Sequence, residues 1–448
     1  MRVLLLSANF LPRAVGGGEI QALLLAKRLC ACGHEPTILT HEPREGGAIA
    51  VEEGSFDGVR VVRLHARGAF TPYARPRKLV AWGQAWLRRE RFDVVHVYLW
   101  PQLLSLVSAA HAIGCPVVLT ALDFGYFCRR YTLLYRNEEL CPPETGAATC
   151  EQCVFGGYSS RQRAVANLCR AALPPALEAL LRDGVRRIFG GDYLPALGGR
   201  TMSALIERQR ARLSEDLAAV IVPSRFMQEF FRLHGAPADR LHLLPYLIEP
   251  AAGGAPRYEP DEGRLRVAFI GRLDPLKGIH VLFEALRRIG PELRVSVDIW
   301  SPLTSGPSAY VERLRAAASA DPRIQWAGAL PREHLGEVYA KIDVLAAPSL
   351  WYENAPITIG EALVHGCPVV CTRAEGMTDL VEDGINGLMF PRGDAAALAA
   401  CLERLAREPA LLKRLRRGVR PPRTADSVTA DIIALYQRVC ARSRMPSR

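Results

Sequence analysis

Two carboxylates, Glu353 and Glu361, stand eight positions apart in the run from Ser349 to Gly366, which reads Ser-Leu-Trp-Tyr-Glu-Asn-Ala-Pro-Ile-Thr-Ile-Gly-Glu-Ala-Leu-Val-His-Gly. The apolar stretch Val344–Ala347 before it reads as a buried strand. Pro356 suits the first turn of a helix, where its missing N–H is not needed. A helix starting there leaves the N–H groups of Asn354, Ala355, Ile357 and Thr358 at its positive end, a natural seat for a phosphate. Glu361 then lies roughly 7 Å further along the axis, at about 1.5 Å per residue. One carboxylate is placed to hold hydroxyls of a group beyond the phosphates, the other to reach a ribose behind them. A helix with a solvated glutamate in its first turn accounts for the same letters without any ligand.

A second group of residues with phosphate chemistry is Gly271-Arg272-Leu273-Asp274-Pro275-Leu276-Lys277-Gly278. It follows a strand ending at Ile270 and precedes a helix beginning near Ile279. Arg272 offers a planar fork and Lys277 a movable point charge, a combination suited to two adjacent phosphates. Solvated surface cations are the alternative. A third group, Gly16-Gly17-Gly18-Glu19, lies between the apolar Val3–Ala8 and an amphipathic run from Ile20 to Leu29 that ends near Gly33. Glycines there let backbone approach a ligand closely, and they serve a tight strand–helix connection equally well.

The elements that must position these residues form two series. Buried-strand candidates in the first are Val3–Ala8, Thr37–Thr40, Val59–Leu64, Val94–Tyr98, Val117–Thr120 and Ala219–Val222. The second comprises Val267–Ile270, Val295–Trp300, Ile324–Trp326, Val344–Ala347 and Pro368–Cys371. Helical patterns between them predict parallel sheets with crossover helices. The expected architecture is α/β, with two doubly wound Rossmann-like domains facing a cleft and ligands at the carboxyl ends of the strands. The first domain spans 1–249, with a cysteine-containing and helical insert at about 124–213. A Pro- and Gly-rich linker and hinge covers 250–263, the second domain 264–425, and a C-terminal helix with a basic tail 426–448. Within the insert, Arg161–Leu213 is rich in Ala, Leu and Arg and reads as helices, either an acceptor-side lid or an internal core.

The Glu353/Glu361 segment, together with Gly16-Gly17-x-Glu19 and the Arg272/Lys277 pair, resembles the retaining glycosyltransferases of family 4, enzymes of the GT-B fold. The resemblance runs from Met1 to about Arg438 and is poor in the middle. It implies that Glu361 holds the ribose hydroxyls of a nucleotide-sugar. Glu353 and the backbone of Asn354, Ala355, Ile357 and Thr358 then face the sugar and diphosphate, with Arg272 and Lys277 on the diphosphate and Gly17 in a loop closing over the donor phosphates or acceptor. The resemblance further implies transfer with retention on one face of the sugar, the departing phosphate helping to deprotonate the acceptor hydroxyl, and no divalent ion required for catalysis. It also implies that the last helix, around Ser427–Val439, packs back toward the first domain.

Two departures stand out. In Pro116–Phe124 the family places His before Asp, whereas this chain has Leu122 before Asp123, and leucine can neither accept nor share a proton. Asp123 remains as an acceptor-side catalytic candidate beside Glu353. The second domain carries Glu375-Gly376 where a glycine pair is common, an extra carboxylate able to alter sugar choice or repel a phosphate. A sugar-nucleotide epimerase of the same fold and a catalytically silent glycan-assembly partner are the alternatives. A glycan phosphorylase is disfavoured, because no lysine context resembles a cofactor anchor.

The chain has 448 residues, enough for two or three cored domains, and a formal net charge of +11. Residues 410–448 supply +8 of that charge, with ten Lys or Arg against two acidic residues. No basic face with interleaved aromatics is present, so nucleic acid is not an expected partner. Leu411–Arg420 mixes Leu with Lys and Arg; it is either a peripheral contact to an anionic membrane or a solvated helix face. The basic tail and apolar insert would suit a lipid-linked glycan acceptor. No apolar run reaches 18 residues, and Val3–Leu6 is too short for a secretory leader, so the expected location is the cytoplasm or the inner membrane face. Cys128, Cys141, Cys150 and Cys153 cluster, the last two in Cys-x-x-Cys spacing. Structural zinc in a four-sulfur shell, reduced thiols and a redox disulfide are all compatible with that spacing. The ten histidines show no metal-ligand spacing.

Overall fold

In the computed structural model the described residues are 1–12, 16–42, 49–66, 77–98, 103–128, 131–135, 139–142, 145–146, 149–150, 152–153, 211, 215–250, 263–301 and 308–444. The sequence reading of helices across Arg161–Leu213, and of the linker at 250–263, falls almost wholly outside them.

Among the described residues the strands are β1 (Arg2–Ser7), β2 (Glu35–His41), β3 (Ala50–Phe56), β4 (Val59–His65), β5 (Val94–Val97), β6 (Val117–Thr120), β7 (Leu134–Tyr135), β8 (Glu139–Leu140), β9 (Ala219–Val222) and β10 (Leu241–Leu243). They continue with β11 (Arg264–Ile270), β12 (Arg294–Trp300), β13 (Ile324–Gly328), β14 (Val344–Ala347), β15 (Val369–Thr372) and β16 (Gly387–Phe390). The α-helices are α1 (Gly17–Ala31), α2 (Arg77–Glu90), α3 (Leu104–Ala112), α4 (Arg225–Leu233), α5 (Ile279–Arg288) and α6 (Ser308–Ser319). After them come α7 (Leu335–Lys341), α8 (Ile357–Val364), α9 (Ala395–Arg407), α10 (Pro409–Gly418) and α11 (Ala425–Arg444).

The chain divides into two compact units. One comprises Met1–Val222, Gln228–His242 and Ala434–Arg448; the other comprises Pro223–Met227 and Leu243–Ile433. In the first, eight strands run in the order β10-β9-β6-β5-β1-β2-β4-β3. The pairings β1–β2, β1–β5, β2–β4, β5–β6 and β6–β9 are parallel, whereas β3 pairs antiparallel with β4. The apolar runs of β1, β5, β6 and β9 are buried along their length, as strands covered on both faces require. β3 is different: Ala-Val-Glu-Glu-Gly-Ser-Phe is largely exposed, and its position at the sheet edge explains why no apolar run announces it.

His96 on β5 is fully buried. Its Nε2 lies 2.7 Å from Thr120 Oγ1 on β6, and its Nδ1 lies 2.5 Å from the Tyr436 hydroxyl on α11. Burial lowers the imidazole pKa to about 3, so the ring is neutral and one nitrogen serves as donor, the other as acceptor. Cys440, one helical turn beyond Tyr436, points its sulfur at the Asp93 carbonyl, 3.3 Å away. The second half of α11 therefore belongs to the first unit.

In the second unit six strands, all parallel, run β13-β12-β11-β14-β15-β16. Chain order steps outward from β11 to β13 on one side and from β14 to β16 on the other. The switch point of a doubly wound sheet therefore lies between β11 and β14, where loops leaving the carboxyl ends of adjacent strands part and make room for a ligand. One face is filled by α5, α6, α9 and α10, whose Leu282, Leu286, Leu398 and Leu402 are fully buried with Val297 and Ile299. The other is filled by Tyr339 of α7 and by Ile359 and Ala362 of α8.

The basic helix α10 corrects one sequence expectation. Leu411, Leu412 and Leu415 are buried in this same core, and Arg416 donates to the Gly366, Ile342 and Asp343 carbonyls. Its apolar face is spent inside the unit and is not presented to a bilayer.

Candidate functional site

The two loops beside the switch point carry the residues singled out by the sequence. After β11 the chain turns at Asp274, whose Oδ1 accepts the Leu276 N–H at 2.9 Å, through a short 3-10 turn, Pro275–Lys277. Gly278 follows in the left-handed region at φ 69°, and a Cβ there would run into the Pro348 carbonyl oxygen. The Leu350 N–H donates to the Leu276 carbonyl at 2.8 Å, so the loop after β11 and the loop after β14 are stitched together.

That stitching brings Lys277 to Glu353. The lysine Nζ lies 2.7 Å from Glu353 Oε1, which also accepts from Ser349 Oγ at 2.6 Å and from Trp351 Nε1 at 2.9 Å. The ammonium lies 5.5 Å from the Trp351 ring centroid. Burial alone would raise the Glu353 pKa; the Lys277 charge and the three hydrogen bonds outweigh it and hold the carboxyl below its usual range. Glu353 is thus a buried carboxylate that stays ionised.

Pro356 is the cap rather than the first turn of α8. Its ψ of 118° is not helical, and Ile357 is the first helical residue. Ile357 and Thr358 occupy the first turn, where a helix leaves N–H groups without intrahelical acceptors. The Ile359 and Gly360 N–H groups both turn back to the Pro356 carbonyl. Ala355 is buried, whereas Asn354 is half-buried just before the cap. Glu361 is buried along α8, and burial raises its carboxyl above the usual range despite Arg332, whose Nη1 lies 3.3 Å from Glu361 Oε1. Arg272 follows β11, exposed and without an ion pair among the described residues.

A third loop, after β15, completes the set. Gly376 adopts φ 80°, and a Cβ at that position would strike the carbonyl oxygens of Glu353 and Asn354. Glu375, the extra carboxylate of the sequence, is paired at 3.0 Å with Arg392, whose guanidinium also lies over the Tyr352 ring at 5.5 Å. Its charge is therefore matched locally. Tyr352 in turn stacks on Phe226, with ring centroids 5.1 Å apart.

Gly17 and Asp123 lie in the first unit. Gly16 caps α1, Gly17 begins it, and Glu19 is buried in its first turn. A Cβ on Gly18 would collide with the Leu122 side chain, so the glycine turn and the Leu122-Asp123 loop lie against each other. Asp123 accepts the Gly125 N–H at 2.8 Å, yet burial pushes its carboxyl up to about 6. The structure thus joins Lys277 with Glu353 and places Glu361, Arg272 and the α8 first turn on the same unit.

Ser349, Trp351 and Arg332 were not singled out from the sequence. Ser349 and Trp351 lie within the quoted motif and carried hydrogen-bonding side chains as their signal. Arg332 is 29 positions from Glu361 and carried none. Glu42, Glu52 and His65 were missed too: their ligand atoms lie within 4.8 Å of one another, assembled from β3, β4 and the residue that follows β2.

Comparison with known proteins gives this geometry a context. Residues 16–246 match the family described as glycosyl transferase 4-like domain, and residues 264–408 match glycosyl transferases group 1. An MMP α-(1→4)-mannosyltransferase of Mycolicibacterium hassiacum is 29% identical over 212 residues, 46% of this chain and 50% of that one. A D-inositol 3-phosphate glycosyltransferase of Streptomyces bingchenggensis is 30% identical over 245 residues, 51% of this chain and 50% of that protein. The chain spans about half the length of the curated relatives it matches. Among solved structures, Anabaena HepE in complex with UDP and glucose aligns with a TM-score of 0.62 at 16% identity, over 99% of both chains. Sucrose-phosphate synthase from Thermosynechococcus elongatus aligns with a TM-score of 0.66 at 18% identity, over 98% of this chain and 99% of that one. These likenesses show the GT-B fold, and the family match across half of the sequence and more shows that the chain belongs to glycosyltransferase family 4, the group 1 glycosyl transferases.

Proposed function

We propose that the chain transfers a sugar from a nucleotide diphosphate sugar to an acceptor hydroxyl, with retention of anomeric configuration. The observation that carries this reading is the Lys277–Glu353 pair at 2.7 Å, set beside the first turn of α8 at the switch point of the second unit. Arg272 and Lys277 supply the cations for a diphosphate, and the α8 N–H groups add positive potential without further reorganisation. As the bond from the anomeric carbon to the phosphate oxygen breaks, negative charge grows on the diphosphate, where these fixed groups are strongest. The new bond forms from the acceptor oxygen to the same carbon on the same face, and the leaving phosphate oxygen takes the hydroxyl proton. Glu353, held ionised, accepts hydrogen bonds from sugar hydroxyls, and Glu361 accepts them from the ribose. Asp123, with its raised pKa, is the acceptor-side group. The related structures bound to UDP, glucose and UDP-glucose support a nucleotide-sugar donor. A glycan, lipid-linked or small-molecule hydroxyl is the acceptor class.

The test is calorimetric titration of the full chain with UDP-, GDP- and ADP-sugars and the matching nucleotides, followed by NMR of the product's anomeric centre. The expected result is selective binding of one donor, lost in Glu361→Ala and Lys277→Ala, and a product with the donor's configuration. Unchanged affinity in both variants would overturn the site, and an inverted product would overturn retention.

A further inference from the structure

We infer that Glu42, Glu52 and His65 form a binding site for a divalent transition-metal ion at the edge of the first unit's sheet. Three adjacent strands present these side chains to one face. β4 is the middle strand of the three, between β2 and β3. In the parallel ladder Thr40 lies opposite Arg63, so two residues further on Glu42 comes level with His65 on the same face. The ladder carries on past the end of β2, since the Glu42 N–H donates to the Leu64 carbonyl at 3.0 Å. In the antiparallel ladder Glu52 lies opposite Arg63 and therefore diagonal to His65. One imidazole nitrogen is thus gathered with two carboxylates, their ligand atoms within 4.8 Å of one another.

The imidazole separates this group from an ordinary acidic patch. His65 is only 6% exposed. Its Nδ1 lies 3.0 Å from the Glu42 carbonyl oxygen, which can only accept, so the ring carries its N–H there. That hydrogen bond is the usual second contact of a metal-bound histidine, and it leaves the lone pair on Nε2. Nε2 is buried and makes no hydrogen bond among the described residues. Glu52 Oε2 stands 3.4 Å from it and is an acceptor too. Two lone-pair atoms facing each other call for a cation between them. A proton would draw the pair to about 2.7–2.9 Å. Two ligands about 2.0–2.2 Å from one zinc, at a tetrahedral angle, stand roughly 3.4 Å apart. The observed spacing is that of the ion.

The surroundings favour the same occupant. Arg63, on the same face, holds Nε 3.6 Å from Glu42 Oε2, too far for a hydrogen bond. One guanidinium against two carboxylates leaves the patch negative. Thr40, one pleat before Glu42 on that face, has a buried hydroxyl that also makes no hydrogen bond among the described residues. Orphaned polar atoms of this kind mark the place of a water or an ion. Glu52 is exposed, which gives the ion a way in from solvent. An imidazole with two carboxylates suits Zn2+, Mn2+ or Fe2+, and three protein ligands leave positions open to water. The ion would join β3, the outermost and largely exposed strand, to β4 and to the end of β2. It thereby fastens an edge that the ladder holds from one side only.

The test is titration of the full chain with Mn2+, followed by electron paramagnetic resonance of the free ion. Mn2+ favours oxygen and nitrogen ligands and so passes over the chain's twelve cysteines. The expected result is about one bound Mn2+ per chain, displaced by Zn2+, which binds such sites more tightly. Affinity should fall roughly tenfold or more in Glu52→Gln and His65→Gln. Glu53→Gln, whose side chain pairs with Arg60 at 2.9 Å, should bind as wild type. Should the buried His65 variant fail to fold, the wild type decides, because bound Mn2+ should broaden the His65 ring signals in NMR. A wild type that takes up neither Mn2+ nor Zn2+ would overturn the site, as would uptake unchanged in Glu52→Gln. So would a His65 ring protonated on both nitrogens at neutral pH in 15N spectra, since the proton would then occupy the ion's place.

Discussion

Glu353 and Glu361 are both buried carboxylates, yet their neighbours move their proton affinities in opposite directions. Glu353 has a full ammonium at 2.7 Å and two further donors on the same oxygen; Glu361 has one guanidinium contact at 3.3 Å. Glu361 therefore protonates first as pH falls. Donor affinity should weaken on acidification from neutrality, and the pH dependence should flatten in Glu361→Gln; titration of the donor at several pH values checks this. Truncating Glu361 to Ala should cost about 1.5–3 kcal/mol of donor binding, the usual worth of a hydrogen bond to a charged group. Lys277→Ala should do more than weaken binding, since it strands a buried carboxylate, a loss of about 3–5 kcal/mol. The pair Lys277→Met with Glu353→Gln should recover stability in urea unfolding while leaving donor binding absent, which separates the two roles. Asp123, pushed up to about 6 by burial, predicts an acid limb in the pH–rate profile near that value. The limb should vanish in Asp123→Asn.

At the scale of elements, two contacts set the geometry of single loops. Gly376→Ala places a methyl where the Glu353 carbonyl oxygen stands, at a φ of 80°, so the turn after β15 must retreat from the loop after β14. Expected outcomes are a lower melting temperature and weakened donor binding together, readable by calorimetry on one sample. Tyr436→Phe removes the hydroxyl beside His96 Nδ1 and leaves a buried ring nitrogen unpaired, a cost of about 1–3 kcal/mol in unfolding free energy. His96 also has a pH signature. Its folded pKa is lowered to about 3 against an ordinary 6.5, so the unfolded chain gains a proton first, and stability falls as pH drops from about 6.5 toward 3. Much of this framework was legible beforehand. β6, β9 and β14 were placed to the residue, because short runs of Val, Ile, Leu and Ala bounded by Pro, Thr or Ser mark strands buried on both faces. β3 and β10 were not, since edge strands need no apolar run, and β16 is four residues long in a glycine-rich stretch. Arg332 was invisible because its meeting with Glu361 depends on how α7 and α8 pack, not on any local pattern. Lys277 and Glu353 were assigned to the same ligand from the motif, but their direct pairing follows from the Leu350–Leu276 hydrogen bond, which no spacing encodes.

Across the whole molecule the positive charge is unevenly spread, and the structure changes what it can do. α10 buries its leucines, so its Lys413, Arg414 and Arg417, with Arg420 just beyond its end, are exposed without an apolar wedge among the described residues. Any association with an anionic bilayer then rests on charge alone, at about 1 kcal/mol per basic residue near the surface. Co-sedimentation with phosphatidylserine vesicles should be weak, abolished by salt, and reduced when Arg414 and Arg417 become Glu; salt-resistant binding would contradict it. No helix among the described residues is long and apolar enough to cross a membrane. The split allegiance of α11 has a consequence in time. The sheet that begins at residue 2 receives its Tyr436 partner only after the second unit has been synthesised. Of the two units, the one synthesised first is therefore the last to be finished. A nascent chain halted before Ala434 should carry a complete second sheet beside a first one still open to protease at β5.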